Sequence, residues 1–128
     1  MDKVVHFEIP AKDVERARKF YRDTFDWKVK PMPEMDYTIV RTMKMDEDAD
    51  EPPKEYGING GIMKATKEVK APVIYMGVED IDEALKRIER NGGKAMGEKQ
   101  KVSDMGWSAY AKDSEGNVIG LWQNAEDM

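Results

Sequence analysis

The chain has 128 residues with 26 acidic and 21 basic side chains, a net charge of −5, 40% hydrophobic residues and no cysteine. That is one ordinary domain's worth of chain, long enough to bury a core, and the missing cysteines exclude disulfides, thiolate metal sites and cysteine nucleophiles together. No apolar run approaches the ~20 residues needed to cross a bilayer, and the basic residues are interspersed with acidic ones instead of gathered into a stripe, which argues against a nucleic-acid partner.

The N-terminal "MDKVVHFEIP" carries no apolar h-region, so no secretory signal is expected and a cytoplasmic location is. In the same stretch Val5, Phe7 and Ile9 alternate with His6, Glu8 and Pro10, the period of a strand with one face on a core. Asp13 then predicts an N-cap, and Val14, Ala17, Phe20 and Tyr21 fall at helical spacings behind it. "TFDW" leads into a second strand, and a third is expected from about Tyr37 to Lys44. "MDEDADEPPKEYG" is an acidic, proline-bearing loop that cannot be core, and "INGGIM" reads as a glycine-rich fourth strand.

The same order of features then recurs. "PVIYMGV" alternates, Asp80 and Glu83 form a capping-box-like pair, and Ile81, Ala84, Leu85 and Ile88 make an apolar stripe. "NGG" ends that helix by an αL glycine. Strands follow at "KAMGE", at "WSAYAK" and, after the turn "DSEGN", at "VIGLWQ". Setting Asp13 against Asp80 gives an offset of 67 residues, about half the chain. The expected fold class is therefore α+β, two βαβββ modules in one domain spanning 1–128, with module one at about 1–67 and module two at about 68–128.

Three stretches together, "VHFEIPAKDVERARKFYRDTFDWKV", "INGGIM" and "VIYMGVEDIDEALKRIERNGGKAMGEKQKVSDMGWSAYAKDSEGNVIGLWQ", resemble the vicinal oxygen chelate superfamily, which groups glyoxalase I, extradiol dioxygenases, fosfomycin-resistance enzymes and bleomycin-resistance proteins. The "MGW…DSEGN…GLWQ" style is similar to small two-module proteins related to lactoylglutathione lyase. The resemblance implies curved mixed sheets forming a cup, a homodimer, and a divalent metal held by first-strand and fourth-strand residues of both modules. His6 stands at the first-strand position, but its counterpart in the second module is Val73. The fourth-strand positions are Gly120 and, by the internal repeat, Gly61. Three of the four expected ligands are absent, and because every copy of the chain lacks Val73's and Gly120's missing donors alike, domain swapping does not restore them.

The favoured expectation is a protein that binds a small molecule in the inter-module cup with no cofactor. The residues that strand alternation or position brings to that cup are His6, Glu8, Tyr75, Trp107 and Trp122, aromatic walls with a few polar groups being the usual make-up of such pockets. Arg41 could anchor an anion if it faces inward. One alternative is a metal-dependent lyase or dioxygenase in which His6 and Glu8 ligate Zn, Ni, Mn or Fe, with a second pair from another chain, or act as acid and base on an enolisable substrate. Another is an interaction module whose cup is filled by side chains. No nucleophile-elbow serine and no phosphate-cradling glycine loop is present.

Overall fold

The structure, a computed structural model, describes residues 1–43 and 57–125. The acidic stretch 45–56 expected as a loop lies outside them. In chain order the elements are β1 (Val4–Ala11), α1 (Val14–Phe25), β2 (Lys28–Met32), a 3-10 turn (Pro33–Met35), β3 (Tyr37–Arg41), β4 (Gly60–Lys64), β5 (Val73–Gly77), α2 (Ile81–Arg90), β6 (Lys94–Val102), β7 (Gly106–Lys112) and β8 (Val118–Asn124). They form two compact units, His6–Pro72 and, separately, Val73–Met128 together with Met1–Val5. The boundary therefore differs from the expected one near residue 67. The first residues of β1 go with the second unit because the Gly77 N–H donates to the Lys3 carbonyl at 2.9 Å and Arg87 reaches the Asp2 carboxylate at 3.3 Å.

In the first unit β4 is the hinge of the register. It runs parallel to β1, with Phe7 opposite Gly60 and Glu8 opposite Gly61, and antiparallel to β3, with Ile39 opposite Gly61 and Val40 opposite Gly60. β2 completes the sheet beside β3. Directly opposed residues share a face, so Phe7, Thr38, Val40 and Ile62 look toward α1, while Glu8, Ile39 and Gly61 look away from it. Thr38, Val40 and Ile62 are fully buried, and Arg18 of α1 donates through Nε to the Thr38 hydroxyl at 2.8 Å. Asp13 caps α1 as its position predicts, accepting from the Arg16 N–H at 3.1 Å. β3 stops at Arg41, short of the expected Lys44, because Thr42 turns its N–H to the Asn59 side chain at 2.9 Å and its hydroxyl to the Ile58 carbonyl at 2.7 Å.

The second unit repeats the plan. β5 runs parallel to β8, with Tyr75 opposite Gly120 and Gly77 opposite Trp122, and β8, β7 and β6 follow antiparallel. Its core is Val78, Ile81, Ala84, Ala109 and Leu121, with Met76, Leu85, Ile88 and Trp107 packed against it. Asp80 caps α2 by accepting from the Asp82 and Glu83 N–H groups, but the capping box is only half made, since Glu83 turns outward to Lys86 at 3.3 Å. β6 is longer than "KAMGE" and carries an irregularity between Met96 and Gln100, where Gly97 sits at φ +72°. In the β7–β8 turn Asp113 accepts from the Asn117 side chain and from the Glu115 and Asn117 N–H groups, bonds that hold its carboxyl below the usual range.

Candidate functional site

The polar face of the first unit is built from adjacent strands. His6 and Glu8 are two residues apart on β1 and so project from one side of it, and Tyr37 stands at the start of β3, two strands away across β4. What lets them meet is Gly61 between them. With no side chain there, the Tyr37 ring lies over the backbone, where its phenol stands in the place a Gly61 side chain would take. The Tyr37 hydroxyl donates to Glu8 Oε2 at 3.0 Å, and its oxygen lies 3.0 Å from His6 Nε2. A phenol has one proton. Once it is given to the carboxylate, the His6 contact requires a proton on Nε2, which fixes the neutral ring's tautomer. The direction of the chain is thus His6 to Tyr37 to Glu8.

Burial holds the His6 imidazole below its ordinary value, with the neighbouring Glu8 carboxylate pulling more weakly the other way. A neutral His6 is the form this arrangement favours at pH 7. Glu8 is only 5% exposed, and a carboxylate so enclosed needs donors such as the phenol. Sequence reasoning found His6 and Glu8 but missed Tyr37, the residue that joins them. The available signal was the Gly60–Gly61 pair in β4, a place where backbone and ring approach closely.

On the second unit Tyr75, Gly120, Tyr110 and Trp122 share the face turned away from α2. An ideal Cβ on Gly120 would come within 2.5 Å of the Tyr75 ring, so here too a tyrosine covers a fourth-strand glycine. Tyr75 and Tyr110 pack with ring centroids 6.0 Å apart, and the Trp122 indole N–H donates to Asn124 at 2.6 Å. Trp107 is on the opposite face, contrary to its expected grouping with Tyr75 and Trp122. The β7 alternation sets it with Ala109 and Ala111 against the α2 core, and Lys99 lies over its ring at 4.8 Å.

A resident divalent metal does not fit these residues. His6 and Glu8 supply two donors where three or four are needed, and both already address the Tyr37 hydroxyl at hydrogen-bond length. Gly61, Gly120 and the fully buried Val73 offer none. Among the described residues no three His, Asp or Glu side chains gather into a metal-binding group.

The comparisons with known proteins bear on this arrangement of strands and glycines. Residues 3–42 match the family described as bleomycin resistance protein-like N-terminal. A "Glyoxylase-like domain-containing protein" from Didymella fabae is 31% identical over 120 residues, covering 89% of this chain and 88% of that one. The chain belongs to the glyoxalase/bleomycin-resistance, or vicinal oxygen chelate, superfamily. Solved structures agree on the fold. A hypothetical protein of Bacillus halodurans aligns at TM-score 0.63 and 14% identity, covering 99% of this chain and 97% of that one. A glyoxalase/bleomycin resistance protein/dioxygenase superfamily member from Vibrio splendidus aligns at 0.61 and 14%, covering 97% and 99%. Methylmalonyl-CoA epimerase from Mycobacterium tuberculosis aligns at 0.63 and 14%, covering 96% and 88%. In this member the first-strand His6 is accompanied by fourth-strand glycines, Gly61 and Gly120, each lying under a tyrosine ring.

Proposed function

We propose that this superfamily member binds a small molecule without a coordinated metal, and that the ligand's polar group engages the His6–Tyr37–Glu8 face. The observation that carries the proposal is the phenol bridging the two side chains that would otherwise be metal donors. The bridge leaves a mixed donor and acceptor surface suited to a neutral or weakly acidic polar group. The face formed by Tyr75, Tyr110 and Trp122 is a stacking surface in its own unit, suited to a flat apolar moiety.

The test has two measurements on the full chain. After incubation with zinc, nickel, manganese or ferrous iron and dialysis, elemental analysis should find far less than one equivalent of metal. A thermal-shift screen of small amphipathic acids and amides should then find compounds that raise the melting temperature, with the shift lost in Tyr37→Phe and His6→Ala. Saturation at 100 times Kd corresponds to about 2.7 kcal/mol. One equivalent of metal per chain or per dimer, abolished by His6→Ala, would overturn the proposal in favour of a metal-dependent enzyme.

Acid–base chemistry on an enolisable substrate is a second reading, favoured by one contact, the enclosed carboxylate of Glu8 hydrogen-bonded to a phenol that could donate to a developing enolate. Solvent deuterium incorporated at the carbon next to a carbonyl in a bound compound, absent with Glu8→Gln, is the result that would establish it.

A further inference from the structure

On the first unit's face turned away from α1, the register lays side chains out in rows. Glu8 opposes Gly61, Gly61 opposes Ile39 and Ile39 opposes Lys30, so one row crosses the four strands from β1 to β2. Lys28 lies two residues before Lys30, and Arg41 lies two after Ile39, directly opposite Lys28. Residues two apart on a strand share a face, so the β2–β3 end carries Lys28, Lys30 and Arg41 around Ile39. Tyr37 and Met32, also opposed, close the other side of Ile39. Glu8 is the only carboxylate that β1 to β4 place on this face, and it accepts from the Tyr37 hydroxyl. Lys28 and Lys30 are exposed and form no ion pair among the described residues.

The second unit repeats only part of this arrangement. Lys94 opposes Lys112 as Lys28 opposes Arg41, but Met96 stands where the first unit has Lys30. Like charges directly opposed across strands repel, and the third cation makes this end of the face strongly positive in a chain whose net charge is −5. We propose that Lys28, Lys30 and Arg41 form a subsite for a dianionic acid group, phosphate or dicarboxylate, at one end of the ligand whose other end meets the His6–Tyr37–Glu8 bridge. The proposal rests on the binding reading above and adds the ligand's class, a small organic acid with an aliphatic middle. The Arg41 guanidinium is shaped to take two acid oxygens at once, and the lysine ammonium groups act beside it as point charges. The phenol lies over Gly61 of β4 and the cations stand on β2 and β3, so at about 4.8 Å per strand the two ends of the ligand are roughly 7 Å apart. Ile39, between them, gives the middle an apolar seat.

The test is a titration of the full chain with inorganic phosphate and with malonate, read by backbone amide NMR shifts against sodium chloride at matched ionic strength. Saturable shifts should gather at Lys28–Lys30 and Ile39–Arg41, while Lys94 and Lys112 respond only as they do to chloride. Lys28→Gln combined with Lys30→Gln should weaken binding about tenfold or more, and Lys28→Arg combined with Lys30→Arg should keep it. Tyr37→Phe should leave phosphate affinity unchanged, since the phenol serves the other end. The compound 5-hydroxypentyl phosphate, long enough to reach both ends, should bind about ten times tighter than phosphate, a gain lost in Tyr37→Phe. Shifts no different from those in chloride, or equal at Lys94 and Lys112, would overturn the subsite and leave the reading of the His6–Tyr37–Glu8 face standing. A phosphate site at which the longer compound gains nothing and ignores Tyr37→Phe would overturn the claim that one ligand spans both ends.

Discussion

At the scale of single residues, Tyr37 holds the polar face together. Replacing it with Phe keeps the ring over Gly61 but removes the donor to Glu8, a carboxylate only 5% exposed. Losing that bond should cost about 1–3 kcal/mol, read as a lower denaturant midpoint with an unchanged slope. His6 supplies a second prediction, with its sign set by burial. Its native pKa lies below the unfolded value of about 6.5, so as pH falls the unfolded chain takes up the proton first, and stability must fall with it below about pH 6.5. Above that pH the ring is neutral in both states and contributes no slope. The stability difference between wild type and His6→Gln should therefore be flat above about pH 7 and should shift against the wild type as pH falls toward the native value. A shift in favour of the wild type at low pH would mean that Glu8, not burial, controls the ring. Neither prediction was available from sequence, because Tyr37 lies 29 residues from Glu8 and meets it only through the β1–β4–β3 register.

At the scale of elements, the helices were legible because spacing and caps agreed. Asp13 and Asp80 both cap as expected, but unequally, with one accepted N–H against two. Each change to Ala should lower stability by about 1 kcal/mol, with the larger loss at Asp80, measured by thermal unfolding of the two variants side by side. The fourth strands were legible as glycine-rich, but not the reason for the glycines. A methyl group at Gly61 or Gly120 would strike the ring of Tyr37 or Tyr75, so Gly120→Ala should destabilise by about 1–3 kcal/mol, and Tyr75→Leu, which replaces the ring with a shorter branched chain, should relieve part of that loss in the double variant. Strand ends and faces were the least legible features. Where β3 stops depends on side-chain bonds from Thr42 to residues that are distant in sequence, and the facing of Trp107 depends on β7 opening at Gly106 opposite Asn124.

At the scale of the whole chain, the repeat announced two copies of one supersecondary plan, and each compact unit follows it. The sequence pattern could not show that the start of the chain belongs with the end. Alternation through Val5, Phe7 and Ile9 continues without a break, so β1 reads as one strand of the first module, yet Met1–Val5 groups with the second unit. The bonds responsible are the Gly77 N–H to the Lys3 carbonyl, the Arg87–Asp2 ion pair, and the contact of Val5 with Gly77, where a Cβ would come within 3.0 Å of the valine. The backbone bond and the packing should dominate, since the ion pair is exposed and worth little. Deleting Asp2, Lys3 and Val4 should therefore speed hydrogen exchange at the Gly77 amide and along β5, while Thr38 and Val40 of β3 keep their protection, because local opening follows the cooperative unit that loses its contacts. Equal acceleration in β3 and β5 would show instead that the two units open as one cooperative body, and that the N-terminal residues support both.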